Sequence, residues 1–106
     1  MQHADLRAVW LRLPGHGENG PILEIFEYTH SHESPVLVAN QHGFNHISFE
    51  VPDIVATANA VITAGGSRLG EIVDLSEEPG VGEITFVFLR DPEDNIIELE
   101  QARVNN

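Results

Sequence analysis

One stretch of this chain occurs twice. Val9-Trp10-Leu11-Arg12-Leu13-Pro14 aligns with Val87-Phe88-Leu89-Arg90-Asp91-Pro92, 78 positions on, and Ile22-Leu23-Glu24-Ile25 aligns with Ile96-Ile97-Glu98-Leu99, 74 positions on. The four-position difference gives the first copy a longer loop. Each copy is a pair of apolar, β-prone segments joined by turn residues, the pattern of a β-hairpin. Self-similarity of this kind restricts the fold to two copies of one structural unit, so what surrounds each copy matters. In the second, 43 positions separate Phe44 from Val87, room for a strand, a helix and a strand. In the first, only 8 residues precede Val9, so that copy is expected to be short by roughly 35 residues.

The remaining elements follow from local chemistry. Leu6 to Leu13 and Ile22 to Tyr28 read as strands linked by the turn-rich Pro14 to Pro21. Phe44 to Val51 reads as a strand, and Asp53 is placed to cap a helix from Ile54 to Ala64 that Gly65-Gly66 stops. Ile54, Ala58, Val61 and Ile62 share one face of that helix. Three further strands are expected over about 68–75, 83–90 and 95–101. The fold class is therefore α+β, with a complete βαβββ module and a partial first copy forming an open, curved sheet. The expected division is a hairpin over 1–28, a linker over 29–43, the complete module over 44–101 and a tail over 102–106, all in one structural domain.

Charge narrows the function. The 106 residues carry 17 Asp and Glu against 5 Arg and no Lys, a formal net charge of −12. Five scattered Arg cannot track a phosphate backbone, so nucleic acid and anionic membrane are excluded as partners. Without Lys there is no Schiff-base chemistry and no Walker-type loop. Without Cys there is no disulfide, thiol nucleophile or zinc-thiolate site. No secretory leader pattern opens the chain and no apolar run is long enough to span a bilayer, so a soluble cytoplasmic protein is expected.

Strand alternation decides which side chains share a face. In FNHISFEV, Ile47, Phe49 and Val51 are expected toward the helix and His46, Ser48 and Glu50 away from it. In NIIELEQ, Ile97 and Leu99 take the apolar face while Glu98 and Glu100 go with Ile96. In ILEIFEY, Glu24 lies with Ile22, Phe26 and Tyr28, where a carboxylate is out of place unless it has a partner. The repeat sets Glu24 and Glu98 at the same point of both copies. A His and two Glu on such faces could converge on one cation, and mixed imidazole and carboxylate ligation suits Zn, Mn, Fe, Co or Ni.

These residues resemble the vicinal oxygen chelate superfamily, which includes glyoxalases, bleomycin-resistance proteins and dioxygenases. The matching stretches are Gly43 to Ile54 (GFNHISFEVPDI), Phe86 to Leu99 (FVFLRDPEDNIIEL), and Trp10 to Pro14 followed by Ile22 to Ile25. The resemblance covers about Leu6 to Gln101. It implies βαβββ modules paired around a metal cleft, with His46 and Glu98 as ligands from the complete module and Glu24 as the closing ligand of the first. It also implies a divalent metal cofactor (Zn, Ni, Co, Mn or Fe) and a small-molecule substrate chelating through two vicinal oxygens. An enediolate-like intermediate would then be stabilised, with Glu98 or Glu24 as the catalytic carboxylate that moves the proton. Trp10, Phe86 and Phe88 are the candidate substrate-binding residues. One ligand of the family pattern has no counterpart, since its strand would lie before residue 1 and His3 sits where a third strand begins. A half-built sheet leaves an edge and an apolar face uncovered, so a homodimer or higher homo-oligomer is expected.

The activity class implied is a metal-dependent lyase, isomerase or dioxygenase. The alternatives are a non-catalytic small-molecule binding protein of the bleomycin-resistance kind, or an oligomeric remnant without activity. Other signals carry less. Gly15 to Gly20 matches G-x-G-x-x-G, but a strand follows instead of a helix, so no dinucleotide site is expected. His30, Ser31, His32, Ser34 and His42 lie in the linker without a catalytic context. Asp74, Glu77, Glu78 and Glu83 read as a solvated loop.

Overall fold

The computed structural model describes residues 6–33, 36, 38–74 and 84–102. His3, Ser34, Glu77, Glu78 and Glu83 lie outside the described residues. The chain divides into two units, Met1–Ser34 and Pro35–Asn106. The architecture is α+β with open sheets.

The first unit is a hairpin. β1 (Leu6–Arg12) and β2 (Ile22–Tyr28) pair antiparallel over seven positions, from Leu6 opposite Tyr28 to Arg12 opposite Ile22. Leu13 N–H donates to the Pro21 carbonyl at 3.1 Å and closes the ladder. Gly15 and Gly17 take φ of +87° and +74°, which lets the nine-residue connection between Arg12 and Ile22 reverse the chain without a strained side chain. One face carries Leu6, Ala8, Trp10 and Arg12 beside Ile22, Glu24, Phe26 and Tyr28.

In the second unit the order is β3 (His46–Glu50), α1 (Ile54–Thr63), β4 (Ser67–Arg68), β5 (Val73–Asp74), β6 (Ile84–Arg90) and β7 (Ile96–Ala102). The sheet runs β3-β7-β6-β4, with β5 also on β6. β3 and β7 are parallel, and the other pairs are antiparallel. The strand expected over 68–75 is thus two short bridges to β6, interrupted around Gly70. There Leu69 and Gly70 both turn their N–H groups to the Phe88 carbonyl, at 3.2 Å each, and one acceptor cannot continue a regular ladder for two successive residues. The strand expected from Phe44 begins instead at His46, because Asn45 is occupied by contacts to the preceding chain.

Helix α1 forms where its caps dictate. Asp53 accepts the Ala56 N–H on its side chain at 3.0 Å, and the Ile54 N–H is taken by the Gln101 side chain of β7 at 2.6 Å. The far end is a Schellman closure, with Gly66 N–H on the Val61 carbonyl at 2.9 Å and Gly65 N–H on that of Ile62 at 3.1 Å. Gly65 has φ of +106°. Gly66 is required for space, since a Cβ there would meet the Arg90 carbonyl at 2.5 Å. Ile54 and Ala58 of the helix close a core with Val87, Leu89 and Leu99, flanked by Phe49, Val51, Val61 and Ile97. Ile47 is half exposed because β3 is an edge strand, and the short helix does not reach it. Ile96 shares the Glu98 face yet is buried, flanked in register by His46 and Arg90 on the two neighbouring strands.

Candidate metal centre

The parallel pairing of β3 with β7 sets Ser48 opposite Glu98 and His46 opposite Ile96. His46, Ser48 and Glu98 therefore stand on the sheet face away from α1, within one residue step of each other. Strand register alone accomplishes this, and the Val51 N–H on the Glu100 carbonyl at 2.8 Å carries the pairing to the start of the helix.

Glu98 is the hub. One of its oxygens, Oε1, accepts the Ser48 hydroxyl and stands 3.2 Å from His46 Nε2. The Glu98 side chain retains 13 % of its exposure and that of His46 30 %, so the pair is partly open to solvent. His46 Nδ1 is 2.9 Å from Asn45 Oδ1. The edge of one ring meets the face of the other where His46 packs on Phe88, centroids 5.0 Å apart, and Phe88 packs likewise on Phe86 at 5.7 Å. Glu50 and Glu100 are opposite each other on the same face, one step beyond Ser48 and Glu98.

The donor chemistry fits a divalent cation. With metal–nitrogen and metal–oxygen bonds of about 2.0–2.2 Å, neighbouring ligand atoms stand about 3 Å apart, close to the separation of Nε2 and Oε1. An imidazole anchored at Nδ1 and a carboxylate already holding a hydroxyl also match the way metal ligands are oriented by their own partners. Two donors are a partial shell. Among the described residues no group of three or more His, Asp or Glu is assembled as a ligand cluster.

The other expected site residues fall into place as follows. Glu24, in the first unit, has the partner its apolar face demands, since the Trp10 indole N–H directly opposite donates to its Oε1. Trp10 and Glu24 are both exposed. Phe86 and Phe88 lie on the His46 face of β6, directly opposite Glu100 and Glu98 across the ladder. Two contributors carry no role in the sequence reading, Asn45 and Ser48. Ser48 was detectable by its alternation with His46; Asn45 was hidden because its role depends on the chain before β3.

No protein-family model matches this chain, and no curated protein sequence does. Among solved structures, a glyoxalase family protein from Bacillus cereus superposes with a TM-score of 0.73 at 16 % identity, over 92 % of this chain and 62 % of that one. The fold is glyoxalase-like. The chain spans less than two thirds of that protein's length, and the likeness concerns the course of the backbone.

Proposed function

We propose that the chain is a metal-dependent glyoxalase-superfamily protein acting on a small substrate with two vicinal oxygens, as a lyase, isomerase or dioxygenase. The observation that supports this reading is the His46 Nε2 and Glu98 Oε1 pair, 3.2 Å apart on strands whose register fixes both. A divalent cation held by these two atoms would supply Lewis acidity to the substrate's oxygens. The chain's own residues do the rest. His46 holds through Nε2 while Asn45 engages its other nitrogen. Glu98 keeps Oε1 on the Ser48 hydroxyl and offers a carboxylate oxygen to the proton α to the substrate carbonyl. Phe86 and Phe88 exclude water beside His46 and give the substrate an apolar wall.

The test is metal uptake by the purified chain with Zn, Ni, Co, Mn or Fe. His46→Ala and Glu98→Gln should abolish stoichiometric binding, whereas His30→Ala should leave it intact. A wild-type chain that takes up none of these metals stoichiometrically overturns the reading. The same assay on Glu24→Gln tests the first unit's carboxylate as a further donor. We also propose a homodimer, supported by the large apolar side chains that the hairpin exposes, among them Val9, Leu11, Ile25 and Phe26. A monomer by light scattering at micromolar concentration would exclude it.

A further inference from the structure

Resting on the homodimer proposed above, we infer that its contact joins unlike surfaces: the Val9, Leu11, Leu23 and Ile25 face of one copy's hairpin packs on the outer face of helix α1 of a second copy. The internal repeat shows which of the hairpin's two faces is the interior one. Trp10 and Glu24 match Phe88 and Glu98, on the face that carries the candidate centre. Val9, Leu11, Leu23 and Ile25 match Val87, Leu89, Ile97 and Leu99 at the same register positions. In the second unit that matching face is covered by a helix, with Ile54, Ala58 and Val61 of α1 packed among Val87, Leu89, Leu99 and Ile97. Two of the four matched residues are identical and the other two exchange Leu and Ile at equal volume. The first hairpin therefore presents a helix-binding face, on which Val9, Leu11 and Ile25 are left half exposed.

A second copy supplies the helix. The inner face of α1 is used on its own sheet, and its outer side carries Val55, Asn59 and Ile62 at i, i+4 and i+7, one stripe of the helix surface, with Val55 54 % and Ile62 37 % exposed. The solvent side of a surface helix ordinarily carries charge, yet Ile54–Thr63 holds no ionisable side chain in a chain of net charge −12. The hairpin face is neutral as well, because Arg7 and Glu27 at its end pair with each other. Two copies of this charge repel wherever carboxylates meet, so self-association favours surfaces without unpaired charge, and these two qualify. Across a two-fold axis the contact occurs twice, hairpin on helix and helix on hairpin, which closes the assembly at a dimer. Each α1 is then held between its own sheet and the partner's hairpin, and the two-stranded unit gains the packed face that a hairpin needs in water.

Charge placed on each surface tests the contact. Val55→Glu puts a carboxylate in the first turn of α1, where the helix dipole favours it, so the fold is retained, and circular dichroism checks this. Leu11→Arg alters a half-exposed position of the hairpin. Each variant alone should raise the dimer dissociation constant at least about 30-fold, read by light scattering over a dilution series. Mixed in equal amounts, the two variants should recover the dimer mass, because one contact of the mixed pair is unaltered and the other sets the new guanidinium against the new carboxylate. A Val55→Glu chain that dimerises like the wild type overturns the inference, as does a mixture that stays dissociated. Hairpin stacked on hairpin would show as loss in Leu11→Arg alone, and helix on helix as loss in Val55→Glu alone; either pattern overturns the inference and leaves the homodimer standing. A monomeric wild type overturns the homodimer itself.

Discussion

The two hairpins are the same object in different surroundings. Their sequences repeat, and so does their register: Trp10 opposite Glu24 corresponds to Phe88 opposite Glu98, and all seven pairs of β1 and β2 map onto those of β6 and β7. Their burial does not repeat. Val87 and Leu89 are fully buried, while the matching Val9 and Leu11 are each 46 % exposed. The difference lies in what each hairpin is given. The second has α1 on one face and β3 along its edge; among the described residues the first unit has neither. Register is therefore a local property of the repeated sequence, set by alternation and turn, whereas burial is conferred by the elements around it. The same contrast separates the two glutamates. Glu98 gains His46 and Ser48 because β3 lies beside β7, and Glu24, among the described residues, meets the indole across its own hairpin.

The sharpest way to break this comparison is to truncate matched leucines. Leu89→Ala should cost about 3 kcal/mol in urea unfolding, as for a fully buried leucine whose neighbours collapse only partly. Leu11→Ala should cost less than about 1 kcal/mol in the same measurement, with its effect showing instead as weaker self-association by light scattering. Equal losses in unfolding, independent of protein concentration, would mean that the hairpins are packed alike.

A smaller effect distinguishes the turns. Asp91 accepts from the Glu93 and Asn95 backbone N–H groups at 2.9 Å and from the Asn95 side chain at 3.0 Å, which tightens the second hairpin; Leu13, its match in the first copy, has no such chemistry. Asp91→Ala should lower stability by about 1–2 kcal/mol, read from chemical denaturation. A neutral result would show that Asp94, at φ +66°, and its Arg90 contact hold the turn unaided. The smallest expected change comes from making the copies alike at the aromatic. Trp10→Phe removes the indole donor to an exposed Glu24 and should shift stability by about 0.5 kcal/mol, near the lower end for a solvent-accessible hydrogen bond. A much larger loss would show that the Trp10 ring is packed where its exposure says it is not.

Much of the fold was legible in local signals. Asp53 and Gly65-Gly66 mark both ends of α1 because capping groups and a left-handed residue are chemical requirements of helix termini. Ile22–Tyr28 is a strand with the bounds its alternation implies. The sequence of 68–75 reads as one strand, and its interruption is not legible there because it depends on where the Phe88 carbonyl stands on the neighbouring strand.

By itself, then, the sequence determined the duplicated hairpin, the helix between its caps and the face on which each glutamate stands, since all of these follow from residue periodicity and neighbours in the chain. Only the tertiary structure decided that Glu98 meets His46 and Ser48, that Glu24 meets Trp10, and that Asn45 is clamped to Val38. Those contacts join residues far apart in sequence or across an irregular turn, where no periodic rule relates one side chain to the other, and the pairing of β3 with β7 sets the 3.2 Å between imidazole and carboxylate.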